Sequence, residues 1–269
     1  MRLTIAHSPD SDDAYMMAPL ALGWLDPGGF TFEFVREDIE VLNQRASEAR
    51  YDVTAVSFGA YPAIRDRYDL LTAGSSIQEG TGPVVVAREP FPPTEWPRLA
   101  VAVPGLRTSA YLAFRRLGLG MGFEPRIQVL PVDQILPAVA EGRAEAGLLI
   151  HESQLQYQAL GLHCLVDLGA WWKEREDLPL PMGGNAIRRD LDPEAKTRFA
   201  GLMRRSVEQA IARHEESVDY AQSFGRGMDR GMVSRYVRAW VNEFTMDPGP
   251  RGRRAVSLLL GEDPIWIQG

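Results

Sequence analysis

Cysteine is nearly absent. Cys164 is the one cysteine in 269 residues, so the chain forms no internal disulfide. It lies in the apolar run Cys164-Leu165-Val166, where a small buried hydrophobe is expected. Histidine is also scarce. His7, His151, His163 and His214 are scattered, and no Cys/His spacing suggests zinc, so no metal site is expected. Positive charge is in deficit, with a formal net charge of -7. That balance argues against a nucleic-acid partner and against an anionic membrane surface. It leaves room for a small anionic ligand, because a local site can be positive or rich in backbone N–H groups. No apolar run approaches membrane-spanning length. Met1-Arg2 leads directly into a strand-like segment with no signal-peptide pattern, so the expected location is the cytoplasm. Gly80-Thr81-Gly82 lacks the spacing of a phosphate-binding loop and no Walker lysine follows it. A serine nucleophile elbow is missing as well.

Apolar residues make up 45% of the chain and charged residues 24%, the mix of a soluble globular protein. Leu3 to His7 reads as a strand and Asp12 to about Leu22 as a helix whose two first-turn acids suit its dipole. Phe30, Phe32 and Phe34 alternate with polar residues as a half-buried strand. Ile39, Leu42, Ala46 and Ala49 mark one helical face. Val53 to Val56 is a strand ending at Ser57, Phe58 to Arg65 a short helix, and Leu70 to Ala73 a further strand. The alternation predicts an α/β fold with parallel pairing.

A proline-rich stretch, Pro90, Pro92, Pro93 and Pro97, is the expected crossover into a second α/β unit. Its strands are Leu99 to Val103, Ile127 to Leu130 and Ala146 to Ile150, with helices starting near Thr108 and Val132. Leu178 to Gly184 reads as the return crossover, followed by a strand from Asn185 to Arg188 and a helical tail from Pro193 onward. The expected organisation is a discontinuous larger domain, 1–88 with 185–269, and a smaller domain, 89–184. Two α/β domains joined by two crossovers describe a hinged binding cleft.

His151 ends the apolar run Ala146-Gly147-Leu148-Leu149-Ile150. That places it at the carboxyl end of a buried strand, where open α/β sheets bind ligands. An imidazole there can take or give a proton near neutral pH, or simply satisfy a strand–helix junction. His7 mirrors it after the first strand. Ser57, and Thr108 with Ser109, stand at helix starts after strands. Such positions either cap the helix or offer hydroxyls and backbone N–H groups to a carboxylate or phosphate. Trp171-Trp172 reads as a hydrophobic cover, and Arg65-Asp66-Arg67 as a solvated helix end.

Several motifs together resemble the 1,4-dihydroxy-6-naphthoate synthase family of the futalosine route to menaquinone. They are Arg65-Asp66-Arg67-Tyr68, Gly82-Pro83, Ile150-His151-Glu152-Ser153, Asp167-Leu168-Gly169-Ala170-Trp171-Trp172, Leu178-Pro179-Leu180-Pro181 and Arg204-Arg205-Ser206-Val207. The resemblance implies the two-domain type II periplasmic-binding-protein architecture with a central cleft and two crossover strands. It implies conversion of cyclic dehypoxanthine futalosine to 1,4-dihydroxy-6-naphthoate without a metal or organic cofactor, the partner being the small-molecule substrate. His151 would be the proton acceptor, and Ala55, Val56, Ser57, Thr108, Ser109 and Ala110 would contact substrate. The chain departs from the family pattern at Ala55, where the family has lysine, and at Ser8-Pro9-Asp10-Ser11-Asp12-Asp13, where it has Ser-Pro-Cys-Pro-Asn-Asp. Both changes remove positive charge or add negative charge, and Arg107 is the nearest candidate to restore it. Chorismate dehydratase and a non-catalytic binding protein for a small organic anion share the fold and stand as the alternatives.

Overall fold

A computed structural model describes residues 1–225 and 227–269. The chain divides into two compact units, Met1–Ile77 with Pro181–Gly269, and Gln78–Leu180.

The first unit opens with β1 (Arg2–His7), α1 (Ser11–Ala21), β2 (Thr31–Arg36), α2 (Ile39–Ala46), β3 (Val53–Ser57), β4 (Tyr68–Leu71) and β5 (Ser76–Gln78). The second unit contains β6 (Val84–Ala87), β7 (Ala100–Val103), α3 (Ser109–Gly120), β8 (Arg126–Val129), α4 (Val132–Ala140), β9 (Ala146–Leu149), β10 (His163–Asp167) and α5 (Leu168–Glu176). The chain then returns through β11 (Leu180–Arg188), α6 (Pro193–Ala212), α7 (His214–Gln222), α8 (Arg230–Trp240), α9 (Glu243–Met246), α10 (Gly249–Leu260) and β12 (Trp266–Ile267). Among the described residues, no helix is long and apolar enough to cross a membrane.

The first unit is built on a seven-stranded sheet in the order β12-β4-β11-β3-β1-β2, with β5 paired to β11. β1 runs parallel to both β2 and β3, whereas β11 is antiparallel to β3 and β4. The expectation of parallel pairing therefore holds for the β1 neighbours and not for the returning strand. α1, α6, α7 and α8 bury one continuous apolar cluster that includes Leu3, Ile5, Met16, Met17, Phe199, Met203, Val207 and Val237. On a separate cluster, Leu42 of α2 packs with Ala6, Tyr51 and Ala55. α2 ends at Ala46, and Ala49 lies beyond it with a left-handed φ of 52°.

The second unit carries a five-stranded sheet in the order β10-β6-β9-β7-β8. β7 is parallel to β8 and β9, while β6 is antiparallel to β9 and β10. Ile135, Leu136, Ala138 and Val139 of α4 pack on Val84, Val86, Ala102 and Leu149. Gly147 makes this contact close. A methyl group on it would lie 2.7 Å from both Ile135 Cγ2 and Val139 Cγ2.

Two expectations are corrected here. The domain boundary does not fall at residue 88, because the apolar run Val84–Ala87 hydrogen-bonds to β9 and β10 and so belongs to the second unit. Within that unit the proline-rich stretch forms a 3-10 helix, Pro93–Arg98, and the return falls at Leu180/Pro181, because Gly183 and Gly184 already pair with β3. Cys164 is exposed rather than buried, because β10 is an edge strand of its sheet. Trp172 is fully buried and Trp171 half-buried, and Arg65, Asp66 and Arg67 are exposed, as the sequence suggests.

Candidate active site

In the second unit, β7 and β9 are parallel neighbours, so their carboxyl ends share one edge of the sheet. β9 is followed by Ile150 and then His151, which opens a 3-10 turn, His151–Leu155. His151 has a left-handed backbone, φ 52°. Histidine is among the few side chains tolerated there, and holding such a residue costs on the order of 1 kcal/mol or more. The turn is pinned by Ser153 Oγ, which donates to the Ile150 carbonyl at 2.6 Å. His151 is half-buried and Glu152 fully buried.

After β7, Thr108 caps α3. Its Oγ1 accepts from the Tyr111 N–H at 3.2 Å and donates to the Gly105 carbonyl at 2.9 Å. The Thr108 hydroxyl hydrogen is thereby committed to the loop, so the capping role is realised. Ser109 and Ala110 are the first helical residues, and both side chains are buried. Their backbone N–H groups fall in the turn that has no acceptor within the helix. Arg107 is exposed.

In the first unit, β1 and β3 are also parallel neighbours. His7 and Ser57 end them at the same edge. His7 Nδ1 lies 2.9 Å from the Ser8 carbonyl oxygen. A carbonyl can only accept, so Nδ1 carries the proton and Nε2 presents a lone pair. Nε2 and the Ser8 hydroxyl are buried, and neither has a hydrogen-bond partner among the described residues. The ring packs against Phe34 and Phe224, and desolvation lowers its pKa below 6.5.

The acids that follow hold the start of α1. Asp10 caps Asp13 N–H at 3.2 Å, Asp13 accepts from Ser8 N–H at 2.9 Å, and Asp12 accepts from Ser76 Oγ at 3.1 Å. Ala55 is buried in the apolar cluster with Leu42 and Tyr51, and Val56 is fully buried.

Ser57 has a partner that the sequence reading passed over. Its backbone N–H donates to Asn43 Oδ1 at 2.9 Å, and Asn43 Nδ2 donates to Ser57 Oγ at 3.1 Å. Asn43 is fully buried. A signal was present: Asn43 lies four residues after Ile39, on the apolar face of α2, and a polar side chain on such a face needs a partner.

Each unit thus presents parallel strand ends bearing an imidazole and a hydroxyl-bearing helix start. The structure brings His151 with Thr108–Ala110 to one sheet edge, and His7 with Ser57 to another. The fold resembles that of a Candida albicans protein described as having the generic periplasmic binding protein fold, with a TM-score of 0.73 over 97% of this chain and 89% of that one. At 11% identity that likeness carries the fold alone. A crystal structure of an Archaeoglobus fulgidus protein is far nearer, at 39% identity and a TM-score of 0.90 over 97% of this chain and 96% of that one. The 1,4-dihydroxy-6-naphtoate synthase of Thermus thermophilus is 41% identical over 260 residues, which cover 97% of this chain and 93% of the relative. The profile of a family described as "Menaquinone biosynthesis" matches residues 3–262, and the chain belongs to that family.

Proposed function

We propose that the chain is a 1,4-dihydroxy-6-naphthoate synthase, a lyase of menaquinone biosynthesis acting on cyclic dehypoxanthine futalosine, with His151 as its general base. The observation that carries the activity is the match to the Thermus enzyme along nearly the whole chain. The observation that supports His151 is its place just past the carboxyl end of β9, at the opening of a 3-10 turn. A neutral imidazole has one nitrogen lone pair able to take a proton at neutral pH. Deprotonation of the substrate by that nitrogen starts loss of the sugar-derived portion and leaves the aromatic bicyclic acid.

Binding falls to Ala55, Val56 and Ser57 at the end of β3 and to Thr108, Ser109 and Ala110 at the start of α3. Ser57 offers a hydroxyl, and Ser109 and Ala110 offer backbone N–H groups at a helix N-terminus, the natural receptor for an anionic oxygen. Thr108 contributes by fixing that helix start, since its own hydroxyl hydrogen serves Gly105. In this reading the protein has the type II two-domain arrangement, with two crossover segments and a central cleft for one small molecule. It works in the cytoplasm and needs no metal or organic cofactor. Neither the solute-binding alternative nor chorismate dehydratase gains support, since the likeness to binding proteins lies in the fold alone.

The test is direct. Purified protein is incubated with cyclic dehypoxanthine futalosine and the naphthoate is followed by chromatography. Product at a rate comparable to the Thermus enzyme is expected. No product under conditions in which that enzyme turns over would overturn the assignment.

A further inference from the structure

The sheet of the second unit has another helix start at the edge that bears His151. β10 is antiparallel to β6, and β6 to β9, so β10 runs in the direction of β9, and Asp167 and Leu149 both lie opposite Val84. α5 therefore begins at the same sheet edge as the His151 turn and α3. Its start is firmly held. Asp167 accepts from the Gly169 and Ala170 N–H groups at 2.8 and 3.1 Å and from Thr81 Oγ1 at 3.1 Å, and the Leu168 N–H donates to the Pro83 carbonyl at 2.8 Å. A methyl group on Gly169 would collide with the Thr81 carbonyl, so α5 and the approach to β6 are in close backbone contact. One turn into this helix stands Trp172, with 0% of its surface exposed. An indole N–H can only donate, and Trp172 Nε1 is buried with no hydrogen-bond acceptor among the described residues. Buried donors are nearly always paired, because an unpaired one loses its hydration without return. Helix side chains lean toward the N-terminus, so the indole of Trp172 covers the first turn of α5, on the side of the strand ends.

We infer that Trp172 is a substrate contact whose indole N–H donates a hydrogen bond to an oxygen of the bicyclic acid. The inference rests on this sheet edge being part of the substrate site, as proposed above. The ring and the nitrogen then have separate tasks: the apolar body fills the space beneath α5, and the polar tip meets the ligand. A donor without a hydroxyl's freedom to rotate fixes the sense of the bond, so the group it meets must accept. The same division explains why tryptophan suits a position that packing alone would fill with phenylalanine. Phenylalanine would leave no unpaired donor in the free protein, and it would also give nothing to the ligand.

The informative variant is Trp172→Phe, which keeps an aromatic ring and removes the N–H. Affinity for 1,4-dihydroxy-6-naphthoate is read by calorimetry, and the indole N–H resonances are read by nuclear magnetic resonance on protein labelled with nitrogen-15. Trp172→Phe should weaken the naphthoate about three- to tenfold, the usual worth of one hydrogen bond. Trp171→Phe, a change at the half-buried neighbour in the same helix, should leave affinity unchanged. The chain has six tryptophans, and the resonance that Trp172→Phe deletes identifies Trp172. In the wild-type chain that resonance should move downfield when naphthoate saturates the protein, a change that a purely structural indole would not show.

If the wild-type chain binds no naphthoate, the site reading falls and the inference with it. If it binds and Trp172→Phe binds equally well, or the Trp172 resonance stays in place, the inference alone falls. Equal weakening by Trp171→Phe would also overturn it, because loosening of α5 would then account for the loss. Should Trp172→Phe fail to fold, the wild-type spectrum still decides. A downfield move of an indole resonance that persists in Trp171→Phe supports the contact, and no move among the six overturns it.

Discussion

Gly183 lies directly opposite Ser57 in the antiparallel ladder between β11 and β3, and a methyl group placed on it would stand 2.8 Å from the Val56 carbonyl oxygen. That oxygen is backbone and cannot swing aside as a side chain would. Gly183→Ala should therefore lower stability by about 1–3 kcal/mol, the usual range for forcing extra volume into a packed site, and displace the end of β3 that carries Ser57. Denaturant unfolding with a parallel naphthoate titration checks it. Wild-type stability and affinity together would show that the ladder yields at no cost.

Asp69 is the hub of a buried ion cluster. Its carboxylate accepts from Lys196 Nζ at 2.9 Å and from Arg189 at 2.8 Å, and its side chain is 4% exposed. Lys196 is itself nearly buried and also reaches the Arg189 carbonyl at 3.2 Å. Removing one partner of a buried pair leaves the other charge uncompensated, at about 3–5 kcal/mol. Asp69→Asn should therefore destabilise by an amount of that order while leaving the kcat of the folded fraction unchanged. A loss below about 1 kcal/mol would mean that the cluster behaves like a surface pair.

Acid stability should carry the signature of His7. Burial holds its pKa below 6.5 in the folded chain, and His214 is lowered in the same sense by desolvation and by Arg238. Between the folded value and 6.5 the unfolded chain binds a proton that the native state does not, so stability rises with pH across that window. The contribution is present in full above 6.5 and is lost as the pH falls toward and through the depressed folded value. His7→Asn, which keeps a donor for the Ser8 carbonyl, should flatten the pH dependence of stability in that window. An unchanged slope would assign the acid sensitivity elsewhere.

Much of this architecture is legible where one strand or helix carries its own pattern. The run Ala146–Ile150 reads as a buried strand because it packs beneath α4, and His151 follows from its end. Pro193 marks the start of α6 because proline suits a first helical turn. What escapes the sequence depends on partners distant in the chain. Val84–Ala87 looks the same whichever sheet it joins, and only its pairing with β9 and β10 assigns it to the second unit. Cys164 sits in an apolar run, yet an edge strand exposes it. At Ser57 the residue is readable as a strand end, but its partner Asn43 is not, since that contact exists only once α2 is docked. The left-handed backbone of His151 leaves no mark in the sequence at all.

The account turns on His151, and the sharpest measurement is the turnover of His151→Asn on cyclic dehypoxanthine futalosine. Asparagine tolerates the left-handed φ of 52° as well as histidine does, so the strained turn survives the change. It cannot accept a proton at neutral pH. The predicted result is a fall in kcat of about 10² to 10⁴, the usual worth of a positioned general base, with substrate affinity and melting temperature little changed. Turnover close to wild type would contradict the account. So would the inverse pattern, in which stability drops and the remaining folded protein keeps its rate, because His151 would then be a structural junction and not the base.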